Sequence, residues 1–187
     1  MSRQTDTNPA AARVLLMISG SIAAYKAAEL ASLLVQSGFS VQCVRTEAAG
    51  QFLGDSTLEG LTGNLVLNGM FEPGRALDHI RLAESADLLL MYPATASRVT
   101  RLAAGVADDL IGALFLANNF RKPWWIAPAM NSNMFAHPAI REALEKLADW
   151  GCRVLPTGKG RMACGSKGPG RLLEPEAAVV LIKEEFA

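Results

Sequence analysis

Between Arg161 and Glu174 the chain reads Arg-Met-Ala-Cys-Gly-Ser-Lys-Gly-Pro-Gly-Arg-Leu-Leu-Glu, which places one thiol among glycines and cations. Gly165, Gly168, Gly170 and Pro169 oppose a regular helix or strand, so the segment is expected to be a flap rather than core. Lys159, Arg161, Lys167 and Arg171 set a positive field around Cys164. Such a field favours thiolate over thiol and suits proton exchange with an anionic ligand. Asn131 lies in Pro128-Ala129-Met130-Asn131-Ser132-Asn133-Met134, directly after an apolar run. Its uncharged amide can hold a carboxylate without neutralising it, and it can equally cap the next helix. His79, one of only two histidines, opens an amphipathic stretch beside Asp78. It titrates near neutrality, which suits proton transfer, although a solitary histidine is commonly structural. The other, His137 before Pro138, reads as a solvated turn residue.

These residues need elements to hold them. Val14 to Ser19 is a short apolar run that stops at Gly20, and Ile22 to Val35 follows at helical spacing, giving strand, tight turn, helix. Ser40 to Arg45, Asp87 to Tyr92, Trp124 to Ala127 and Cys152 to Leu155 read as four further strands, with stretches of helical periodicity between them. Pro138 to Trp150 and Glu174 to Phe186 read as the last two helices. Strands alternating with helices predict an α/β fold, a doubly wound parallel sheet in three αβα layers of the flavodoxin-like or Rossmann-like kind. Leu88-Leu89-Leu90-Met91 lacks period-two alternation, as expected of a strand covered on both faces.

The 187 residues suit one domain over residues 13–187, with a flap at 157–173 and a disordered polar lead at 1–12. Half of the residues are hydrophobic, 19% are charged and the formal charge is zero, so neither nucleic acid nor a membrane surface is expected as partner. The same apolar excess favours an oligomer. Three cysteines without metal-ligand spacing argue against disulfides and against a metal site, and point to a reducing cytoplasm. No apolar run is long enough to span a bilayer.

In sheets of this kind ligands sit outside the carboxyl ends of the strands. Gly20-Ser21-Ile22 opens a helix there and offers backbone amides to a phosphate, or is a simple cap. Thr46 is a second phosphate contact or a second cap. Pro93-Ala94-Thr95-Ala96-Ser97 offers small side chains for a flat ring and hydroxyls for its edge, and Thr95 or Ser97 would also cap a helix. The absence of GxGxxG favours a mononucleotide over a dinucleotide.

Together, from about Val14 to Pro175, these segments resemble the homo-oligomeric flavin-containing cysteine decarboxylases, and within them the phosphopantothenoylcysteine decarboxylase branch. Gly20-Ser21-Ile22-Ala23-Ala24-Tyr25-Lys26 resembles the family's flavin-phosphate loop, and Pro93 to Ser97 its second flavin segment. Pro128 to Met134 matches its PxMNxxM motif, and Gly160 to Pro175 its cysteine-bearing flap. Tyr92 stands where the family usually has a small residue. The resemblance implies FMN at a subunit interface of a homotrimer or a dodecamer of trimers, with Ala129 and Met130 joining the two flavin segments. His79, Asn131 and Cys164 would be catalytic, and Met134, Arg161, Met162 and Ala163 would join Asn131 on the substrate. The implied reaction is FMN-dependent decarboxylation of 4'-phosphopantothenoylcysteine to 4'-phosphopantetheine in coenzyme A biosynthesis, with a ligase domain acting in trans or removed. The alternatives are a decarboxylase that converts a peptide's carboxy-terminal cysteine to an enethiol and a non-catalytic flavoprotein regulator. The complete Ala163-Cys164-Gly165 flap favours the first reading.

Overall fold

The computed structural model describes residues 11–70, 75–161, 165 and 167–187, with the backbone alone at 159, 161 and 167. Five parallel strands, β1 (Arg13–Ile18), β2 (Ser40–Arg45), β3 (Leu88–Ala94), β4 (Trp124–Pro128) and β5 (Arg153–Val154), form one sheet in the order β2-β1-β3-β4-β5. This is the flavodoxin-like order, and its strands read as apolar runs because both faces are covered. Along β1, Val14, Leu16 and Ile18 enter one core while Leu15 and Met17 enter the other. All seven residues of β3 are buried.

Helices α1 (Tyr25–Gln36), α2 (Asp55–Thr62) and α8 (Pro175–Glu185) cover the first face through Leu30, Leu34, Leu58 and Ile182. The second face carries α3 (Asp78–Ser85), α4 (Ala96–Ala103), α5 (Leu110–Asn118) and α7 (Pro138–Asp149), through Ala83, Val99, Leu114 and Leu147. Short α6 (Ser132–Ala136) follows β4. The predicted first helix begins as a 3-10 turn at Ile22–Ala24 before α1. The stretches before β3 and β4 are each broken into two short helices. In the second, Gly105 takes φ +67° and Asp109 caps α5 by accepting from Gly112 N–H. The predicted fifth strand, Cys152 to Leu155, narrows to Arg153–Val154.

The flap corrects an expectation. Gly158–Arg161 (β6) and Lys167–Arg171 (β7) pair antiparallel, so Gly168, Pro169 and Gly170 do lie in a strand, while Gly165 sits in a bend between the two. A two-stranded ribbon separate from the main sheet has no partner waiting for the N–H that Pro169 lacks, and a register shift between Gly158 and Gly160 absorbs the mismatch. Met162, Ala163 and Cys164, like residues 1–10 of the lead predicted over 1–12, fall outside the described residues.

Candidate active site

The chain leaves β1 for β2 on one side of the sheet and then crosses to β3 on the other, so the strand order reverses between β1 and β3. The loops at their carboxyl ends part there and leave a crevice. A cleft of about 790 Å³ lies at this point, within the range of small-molecule sites.

Hydrogen bonds between neighbouring loops build its walls. Ser19, 2% exposed, donates its hydroxyl to the Pro93 carbonyl at 2.7 Å and accepts from Thr95 N–H at 3.0 Å, joining the first and third loops. Ala129 N–H donates to the Ala94 carbonyl, and Met130 N–H donates to the Gly170 carbonyl, both at 2.9 Å. The second bond seats β7 over the end of β4. Two glycines permit this closeness. A Cβ at Gly20 would stand 2.6 Å from Ala48 Cβ, and one at Gly170 would stand 2.5 Å from the Met130 carbonyl oxygen, where φ is also +105°.

Most of the residues expected in the site meet here: Gly20, Ser21 and Ile22 on the first loop, Thr95, Ala96 and Ser97 on the third, and Ala129, Met130, Asn131 and Met134 after β4. Several hydroxyl and amide groups act as caps at the same time. Ser21 Oγ accepts from Ala23 N–H, Thr95 Oγ1 from Arg98 N–H and Asn131 Oδ1 from Met134 N–H. Asn131 is therefore both a cap and a cleft residue. Its Oδ1 is committed to the backbone, which fixes the amide's orientation and gives Nδ2 to the donor role.

Other expected residues sit elsewhere. Thr46 is not among the cleft-lining residues; its hydroxyl accepts from Ala49 N–H and caps a 3-10 turn. Pro93 and Ala94 are the buried end of β3, beneath the cleft rather than on its wall. His79 lines a different depression of about 640 Å³ between α3 and α5, with Ile80, Ala113 and Leu116. Its Nδ1 is buried with no hydrogen-bond partner among the described residues, while the adjacent Asp78 carboxylate accepts from Arg75 Nε at 2.7 Å. One copy of the chain thus does not bring His79 to Asn131. His137, exposed as expected, caps α7 through Nδ1. Cys164, with Met162, Ala163 and the Arg161 side chain, lies outside the described residues. The two described cysteines are inert core, because burial pushes the thiols of Cys43 and Cys152 up to about 12.

The cleft also gathers Ala23, Tyr25 and Lys26 from the segment likened to the flavin-phosphate loop and Gly170, Arg171 and Leu172 from the flap, none of which the sequence assigned as a site contact of its own. Lys26 occupies an inward position of α1, where its spacing with Leu30 and Leu34 marks the buried face, and that periodicity was the available signal. Tyr92 is fully buried, and its hydroxyl donates to the Leu173 carbonyl at 2.6 Å. Burial pushes the phenol's pKa upward, which keeps it a donor.

The residues present suit a flavin mononucleotide. Ala96 and Ala129 give low walls for a flat ring system, and the backbone of Gly20 to Ile22 precedes α1, whose dipole favours a phosphate.

Comparison with known proteins agrees. The chain spans less than half the length of the curated relatives it matches. One is the coenzyme A biosynthesis bifunctional protein CoaBC of Vibrio cholerae serotype O1, 42% identical over 94% of this chain and 44% of that protein. Among solved structures, a cysteine-to-serine variant of PPC decarboxylase complexed with pantothenoylaminoethenethiol superposes with a TM-score of 0.84 at 29% identity, covering 94% of this chain and 98% of that one. The FMN binding protein AtHal3 superposes with a TM-score of 0.79 at 31% identity and the same coverage. The model of the Flavoprotein family matches residues 2–187. The chain belongs to the Flavoprotein family.

Proposed function

We propose that this chain catalyses FMN-dependent decarboxylation of 4'-phosphopantothenoylcysteine to 4'-phosphopantetheine, a carbon–carbon lyase reaction of coenzyme A biosynthesis. The observation that carries the reading is Asn131, held at the carboxyl end of β4 with Oδ1 tied to Met134 N–H in a cleft of flavin size. The names of the relatives, a coenzyme A biosynthesis protein and a PPC decarboxylase, support the same substrate.

Loss of carbon dioxide from a cysteinyl carboxylate leaves an unstabilised carbanion unless the neighbouring carbon and sulfur have been oxidised to a thioaldehyde. The flavin supplies that two-electron exchange when bound against Gly20 to Ile22, Thr95 to Ser97 and Ala129–Met130. Asn131 Nδ2 holds the substrate carboxylate as a neutral donor, so the carboxylate can leave without separating from a full positive charge. Departure of carbon dioxide gives an enethiolate. Cys164, assigned from sequence, delivers the proton to carbon, and its place among Lys159, Arg161, Lys167 and Arg171 keeps that proton transferable. The balance is one carboxylate lost and one proton gained, with no net redox change.

His79 is supplied by a neighbouring copy in a homotrimer or a dodecamer of trimers, where it takes the thiol proton or orients the substrate. Exposed Leu77, Ile80 and Leu116 beside it support a buried subunit contact there. A ligase domain, in trans or removed from this chain, would supply the substrate, in the cytoplasm. Among the described residues no helix is long and apolar enough to cross a membrane.

The test is mass analysis of the products after incubation with 4'-phosphopantothenoylcysteine and, separately, with a peptide ending in cysteine. The reading predicts loss of carbon dioxide to a saturated thiol from the first and slow or no reaction with the second. An enethiol from the peptide alone, or inertness toward both, would contradict it.

A further inference from the structure

Lys26 and Arg171 reach the cleft from two different elements, one from α1 and one from β7, and a single carboxylate serves both. Glu174 Oε2 accepts from Lys26 Nζ, and Glu174 Oε1 accepts from Arg171 Nη2 at 2.6 Å. Glu174 is not itself among the cleft-lining residues. It stands where β7 turns into α8, at the helix's N-cap position, yet its side chain makes no cap and is turned to the two cations instead. We propose that Glu174 is a positioning residue for substrate binding: it holds Lys26 and Arg171 in one arrangement on the cleft wall and fixes the root of the β6–β7 hairpin to α1. The inference rests on the function proposed above.

Three observations carry it. Lys26 is 7% exposed, so without its carboxylate a buried ammonium would be left unpaired and would have to move. One carboxylate between two cations leaves one positive charge in excess on a wall that must receive an anionic substrate. Holding two long, flexible side chains beforehand removes an ordering cost from binding. Finally, the segment joining Arg171 to Glu174 is fixed on both sides, since Leu172 is 2% exposed and Tyr92 Oη binds the Leu173 carbonyl. Moving Glu174 therefore moves the hairpin rather than a loose surface residue. The Lys26 hydrogen bond, with help from Arg171, holds the Glu174 carboxyl below the usual carboxylate range, so Glu174 is a carboxylate at neutral pH.

The experiment compares wild-type, Glu174→Gln and Glu174→Asp proteins, full length and loaded with FMN. For Glu174→Gln the expected result is a KM for 4'-phosphopantothenoylcysteine raised about tenfold, the equivalent of roughly one hydrogen bond to a charged group. At saturating FMN its kcat should change less than about threefold, since Glu174 is not itself among the cleft-lining residues and acts through Lys26 and Arg171. Glu174→Asp should recover part of the KM. Amide exchange at residues 158–161 and 167–171 should be faster in Glu174→Gln than in wild type. A Glu174→Gln protein that loses only thermal stability, with KM and hairpin exchange unchanged, would overturn the proposal. If the wild-type protein does not turn over this substrate, the functional reading falls by itself. The exchange data then decide about Glu174 alone: faster exchange upholds its hold on the hairpin, and unchanged exchange overturns it.

Discussion

Asn131 lines the cleft while its Oδ1 caps α6 through Met134 N–H, so the cap fixes the amide that the proposed reaction uses as its donor. The sequence offered cap and ligand as rival readings; the geometry shows the cap, and the proposed ligand role is compatible with it. Lys26 was harder to read, because a lysine at an inward helical position looks like a patterning exception until its partner, 148 residues away along the chain, is known. His79 stood out by its scarcity, but in one copy it lines the depression between α3 and α5 and not the cleft, so its proposed role calls on a second copy. The thiols separate by environment. At pH 8 a buried thiol of pKa about 12 is roughly one part in 10⁴ thiolate, so Cys43 and Cys152 should resist iodoacetamide in the folded protein. Cys164, flanked in sequence by Lys159, Arg161, Lys167 and Arg171, should be carbamidomethylated first and faster than a free thiol, as peptide mass analysis can show. A Cys164 that reacts no faster than free cysteine would remove the expectation, drawn from its cationic sequence neighbours, that it is the reactive thiol.

At the scale of elements the sheet was readable and the hairpin was not. Short apolar runs at β1, β3 and β4 announce strands covered on both faces, and the small residues after them announce loops that something must approach closely. The glycines of the flap were read as a bar to strand formation, when they are what lets a narrow ribbon lie against α6. Gly168 packs against Ser132, and Gly170 packs against the Met130 carbonyl. A two-stranded ribbon is marginal alone, so its order is borrowed from these contacts and from Tyr92. Gly170→Val introduces a clash and a strained φ, about 1–3 kcal/mol in all, into an element that can detach without unfolding the core. Limited proteolysis should then cut within residues 158–171 while Tm changes by less than about 3 °C. Equal protease resistance in variant and wild type would show that the hairpin does not depend on that close approach.

For the molecule as a whole, topology decides where chemistry can occur. The order β2-β1-β3-β4-β5 opens its crevice between β1 and β3, and the loops carrying Gly20, Thr95 and Asn131 converge there although they lie far apart in the chain. Fold class and crevice follow from strand and helix periodicity alone. The assembly does not, because an apolar face beside His79 has no signature in one chain that distinguishes it from generous core. The proposed reaction needs Asn131 of one copy and His79 of another, and that requirement is directly measurable. His79→Asn and Asn131→Asp proteins, each loaded with FMN, are mixed, dissociated and reassembled. Carbon dioxide release is then followed from 4'-phosphopantothenoylcysteine labelled at its cysteinyl carboxyl. Each variant alone should fall about 100-fold or more below wild type, since each loses a group that acts on the reactant. The reassembled mixture should regain a substantial fraction of the wild-type rate, because some cleft–groove pairs then hold both native residues. A mixture as slow as its components, or a wild-type protein that releases no label, would contradict the account.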